Sequence, residues 1–105
     1  MAEVINLNSP QLVEAVFLWT GWGESAIPCR SEKRLADRLG DDVAAKLLPL
    51  LKSLDDDFYS SDARLVAANL PEMGSRASEQ FKLKHPSASE EIVRAFAWCY
   101  TYDFK

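Results

Sequence analysis

The 105 residues include one histidine and two cysteines. Any Ser–His or Cys–His nucleophile would therefore have to use His85 as its base. That residue stands in "LKHPSASEE", beside a proline and near Lys82 and Lys84. No positioned partner is signalled, so it reads as structural or solvated. Cys29 and Cys99 show neither C-x-x-C nor Cys/His spacing, which leaves no metal site. The four glycines form neither a G-x-G-x-x-G nor a G-x-x-x-x-G-K-[ST] pattern, so no phosphate cradle is expected. No apolar run reaches the length of a membrane span. No repeat or low-complexity segment is present, and no sustained apolar/polar alternation that would indicate a sheet. The opening "MAEVINLNSP" lacks the basic head and apolar run of a signal peptide, which points to the cytoplasm and reduced thiols.

A large excess of either charge is also missing. The net charge is −4, which argues against nucleic acid and membrane surfaces as partners, since both are bound by basic residues. The charge is uneven, however. Residues 30–54 carry a net of +2 and residues 55–72 a net of −4. Asp55, Asp56 and Asp57 are consecutive but lack the alternating ligands, central glycine and terminal glutamate of a calcium loop.

The remaining composition is that of one globular domain spanning residues 1–105, 48% hydrophobic and 27% charged. Its punctuation is helical. Ser9-Pro10 is a cap followed by proline at the first helical position. Leu12, Val13, Val16, Phe17 and Trp19 then repeat at helical spacing, with Leu18 widening the apolar surface, so this helix is expected to be central. Gly21 and Gly23 end it. Ser31 and Gly40 bracket "EKRLADRL". Asp41 or Asp42 opens a third helix through Val43, Leu47, Leu50, Leu51 and Leu54, kinked by Pro49.

"LDDDFYSSD" reads as a polar break. Beyond it, Tyr59, Ala63, Val66, Leu70, Met73, Ala77 and Phe81 recur in steps of three and four, so either one long helix bends at Pro71 or two helices meet there; the unbroken phase favours one bent helix. Lys84-His85-Pro86 ends it. "SASE", Ser87 to Glu90, reads as a capping box before a last helix through Ile92, Phe96 and Cys99. The expectation is an all-α, single-domain bundle of about five helices with proline kinks near Pro49 and Pro71.

Two patterns remain as candidates for function. "RLADRLG" resembles the first half of a helix-turn-helix, with Leu35, Ala36, Leu39 and Gly40 in the apolar, small, apolar and turn positions. The resemblance implies a DNA-binding regulator using Arg30, Lys33, Arg34 and Arg38. The second half departs from the pattern: Asp41 and Lys46 stand where apolar residues belong, and Pro49 interrupts the recognition helix.

The other pattern is aromatic. "FLWTGWGESAIPC", residues 17–29, places Trp19 in line with the core stripe and Trp22 between two glycines, as a lid or a contact. Trp98 shares a helix face with Arg94 and is expected to stack on it. Phe58 and Tyr59 flank the aspartates.

Aromatics beside charge make a protein-binding patch. The leading reading is therefore a small non-enzymatic cytoplasmic interaction module, in one version an immunity- or antitoxin-type inhibitor of a basic partner. Trp22, Asp55, Asp56, Asp57, Phe58, Tyr59 and Trp98 are its candidate contacts. No catalytic residue, cofactor or metal ligand is assigned. An enzyme using Cys29, which lies beside Arg30 and just before a helix start, is a third reading. The apolar last helix also leaves homodimerisation open.

Overall fold

The computed structural model describes residues 9–104. Its elements are α1 (Pro10–Thr20), α2 (Glu32–Leu39), α3 (Asp41–Tyr59), the single turn α4 (Ala63–Val66), α5 (Leu70–Lys84) and α6 (Glu90–Asp103). The architecture is the expected all-helical bundle: five helices of eight residues or more and one short turn, with no strand among the described residues. No helix there is long and apolar enough to cross a membrane.

Buried side chains from all six elements form one core. α1 packs on α2, α3 and α6, and α5 closes against α3 and α6. Trp19 and Leu18 are both buried, on different sides of α1, as expected of a central helix. Phe58 lies at the centre of an aromatic cluster, with Phe81 at 5.2 Å, Tyr100 at 5.8 Å and Phe96 at 6.0 Å between ring centroids.

The end of α1 is closed with unusual completeness. A helix leaves its last four carbonyls without internal donors. Here the carbonyl of Phe17 accepts from Gly21 N–H, that of Trp19 from Ser31 N–H and that of Thr20 from Cys29 N–H. The fourth, on Leu18, accepts from the Arg34 guanidinium, which also reaches the Cys29 carbonyl. The cation at a helix C-terminus also has the favourable sign for the dipole. Gly21 makes this possible. Its φ of 92° is left-handed, and a Cβ there would lie 3.0 Å from Arg34 Nη2.

Three expectations are corrected. First, the stripe from Tyr59 to Phe81 does not run along one bent helix. The chain breaks at residues 67–69, and Val66 and Leu70 are exposed. The Asn69 side chain accepts from Glu72 N–H, and Pro71 falls in the first turn of α5. Proline there starts a helix rather than kinking one.

Second, residues 55–59 are not a polar break but the last turns of α3, which passes through Pro49 without ending. Aspartates at a helix C-terminus oppose the dipole. Two of them are engaged from elsewhere in the chain: Asp55 is ion-paired with Arg30 at 2.7 Å and Asp57 is hydrogen-bonded to His85 at 2.8 Å. Third, the N-cap of α6 is Ser89, whose hydroxyl accepts from Ile92 N–H, rather than Ser87.

Candidate interaction surface

The pinned α1 terminus fixes the loop that carries Trp22. From there the half-buried Trp22 ring meets the half-buried Trp98 ring edge-on, with centroids 5.2 Å apart and planes at 74°. Trp98 therefore packs on Trp22 instead of stacking on Arg94 as expected. The quadrupoles of two aromatic rings favour this edge-to-face geometry. The pair forms a ridge between two open grooves.

One groove, of about 660 Å³, runs between α5 and α6. Small residues keep it shallow, since Gly74 approaches Thr101 so closely that a Cβ would sit 3.3 Å from the threonine methyl. Glu79, Lys82 and Arg94 stand around it. The other groove, of about 640 Å³, lies against α1. Val13, Phe17 and Trp22 give it apolar walls, and Glu14, Glu24, Glu91 and Arg38 line it. Trp22 belongs to both.

The other predicted contacts do not join this surface. Phe58 is 0% exposed and belongs to the core, so it cannot touch a partner. Its place in α3 is what buries it, because the helix continues past the aspartates and turns this ring inward. Tyr59 is half-buried and donates its hydroxyl to Asp103, while Arg30 donates to Tyr59 and Asp55. The Arg30 guanidinium also lies over Trp19 at 5.7 Å and Tyr59 at 5.4 Å. Of the three aspartates, Asp56 is the exposed one.

This cluster perturbs its own ionisation. Burial raises the Asp55 carboxyl, against the pull of Arg30. Burial also works against the Arg30 charge, but hydrogen bonds to Asp55 and Tyr59 outweigh it and hold the guanidinium above its usual range. Burial and the bond to Asp103 push the Tyr59 hydroxyl upward. The neighbouring Cys99 thiol is pushed up to about 12, chiefly by burial. The network ties the loop before α2 to the ends of α3 and α6.

The basic stripe is similarly engaged. Arg30 and Arg34 are committed as described, Lys33 pairs with Asp37 at 2.8 Å, and Arg38 with Glu24 at 3.7 Å. Cys29 is exposed, with its backbone held by the α1 terminus. His85 packs on Phe81 with centroids 4.9 Å apart while bonding Asp57. Among the described residues no three His, Cys, Asp or Glu side chains are grouped to hold a metal.

The acidic rim of the α1 groove was missed in the sequence, though a signal existed. Val13 and Phe17, spaced i, i+4, flank Glu14 on a helix already filled on its core face by Leu12, Val16 and Trp19. Comparison with family models, curated proteins and solved structures finds no match to this chain.

Proposed function

We propose that the protein is a non-enzymatic interaction module that docks on another protein through the Trp22–Trp98 ridge and its two grooves. One observation carries this reading. Two half-buried indoles meet edge-on at 5.2 Å and wall two open apolar grooves. Tryptophan is the residue most enriched among binding hot spots, and concave apolar surface around it supplies the pocket or the anchor. The fixed loop adds to the argument, because an anchor held in place before binding costs little ordering entropy. The engagement of Arg30 and Arg34 within the fold favours a protein partner over a phosphate backbone.

The test is a quantitative binding assay on the purified partner with Trp98→Ala, Trp22→Ala and, as a control away from the ridge, Asp56→Asn. A hot-spot loss of about 2 kcal/mol predicts roughly thirtyfold weaker binding for Trp98→Ala. Asp56→Asn keeps wild-type affinity. If Trp98→Ala retains its helical circular dichroism and binds like wild type, the ridge is not the docking face.

A further inference from the structure

The two grooves differ in charge. Beside α5, Lys82 is paired with Glu90 at 2.7 Å, which leaves Arg94 standing against Glu79. Beside α1, Glu14, Glu24 and Glu91 surround an apolar wall of Phe17 and Trp22, with Arg38 as the one cation. Arg38 is paired with Glu24, which leaves Glu14 and Glu91 uncompensated by any cation of the groove lining. Glu14 is exposed and makes no side-chain hydrogen bond or ion pair among the described residues. Glu91 accepts a hydrogen bond from the Ser89 hydroxyl at 2.7 Å, which, with the Arg94 charge nearby, holds its carboxyl below the ordinary range.

We propose that the α1 groove receives an arginine side chain of the partner protein, its guanidinium on the Trp22 indole and bonded to Glu14 and Glu91, its stem along Phe17. This rests on the ridge being the docking face. An apolar slot lined by three carboxylates and one cation is complementary to a cation on an apolar stem. Arginine suits it better than lysine, because a planar, weakly hydrated guanidinium stacks on an indole and bonds carboxylates at once. The molecule uses the same combination internally, where Arg30 lies over Trp19 and Tyr59 while donating to Asp55. The α5 groove, with Lys82 paired and Arg94 balancing Glu79, offers no such acidic excess.

The test selects displayed random peptides on the full-length protein and keeps those whose binding requires Trp22 or Trp98. Each is then synthesised with arginine or its neutral isostere citrulline and titrated against protein with isotope-labelled tryptophan. The expected result is that selected peptides carry arginine, move the Trp22 indole signal and lose most of their affinity as citrulline peptides. Glu14→Gln with Glu91→Gln, both at exposed positions, weakens binding roughly fivefold, as two partly solvated ion pairs allow. Peptides that need the tryptophans but lack arginine, or ignore the double variant, overturn the arginine site and leave the docking face standing. If no peptide depends on either tryptophan, both fall.

Discussion

Replacing Arg30 with methionine tests the central electrostatic claim. The side chain keeps comparable bulk but loses a hydrogen bond to a carboxylate at 2.7 Å and contacts with two rings. A hydrogen bond to a charged group contributes about 1.5–3 kcal/mol, and each exposed cation–π contact about 0.5–1 kcal/mol. The pair is only partly buried, with side chains 26% and 19% exposed, so the loss stays below the ~3–5 kcal/mol of a fully buried pair that loses one partner. Arg30→Met is thus expected to cost about 2–3 kcal/mol at neutral pH.

The deficit depends on pH. Burial already raises Asp55 above its ordinary 3.8, and removing Arg30 raises it further. A carboxyl whose folded pKa is raised contributes stability that is present below the unfolded value and lost as pH rises through the folded one. The variant therefore approaches wild type under acid conditions and falls away toward neutrality. Urea titrations followed by tryptophan fluorescence measure this, with Trp19 beneath the guanidinium as the reporter. The double variant with Asp55→Asn isolates the pair, with an expected coupling of about 1–2 kcal/mol. A single variant within about 0.5 kcal/mol of wild type, or a cycle with no coupling, would refute the argument.

Three further outcomes are expected. Phe58→Ala, in contact with three aromatic rings, loses about 3–5 kcal/mol in the same titration. Asn69→Ala removes the α5 cap and costs about 1 kcal/mol, with faster amide exchange confined to the first turn of α5. Ellman's reagent reads one fast thiol, Cys29, in the native protein, and Cys99 only after unfolding. Because the buried Cys99 thiol is held near about 12 against an ordinary 9.0, the unfolded chain ionises first. Stability is intact below the lower value and declines as pH rises toward the upper one. Cys99→Ala flattens part of that decline; an unchanged slope would contradict the assignment.

Local signals predicted the helices well wherever a cap and an apolar face agreed. Ser9-Pro10, the left-handed Gly21, Ser31 and the i, i+4 run of α6 all behave as their chemistry requires. The failures lie where one signal was read against another. The regular stripe from Tyr59 to Phe81 hid a break, although Asn69, Pro71 and Glu72 together spell a helix start. Three aspartates looked like a loop because the partners of two of them, Arg30 and His85, are distant in sequence and meet them only in the fold. That error carried Phe58 to the surface when it belongs in the core. Trp22 and Trp98 stood out in the sequence, but whether they are exposed did not. Their contact, and the acidic rim beside it, depends on how α1 and α6 cross, which no local pattern encodes.

Because Trp22 lines both grooves, the two share one wall. An occupant of the α1 groove that turns this indole also reshapes the wall facing α5, through the edge contact with Trp98. Linkage is reciprocal, so whatever factor one occupant imposes on the affinity of the other is returned in full. A ligand long enough to reach both grooves would meet that shared wall in a single binding event.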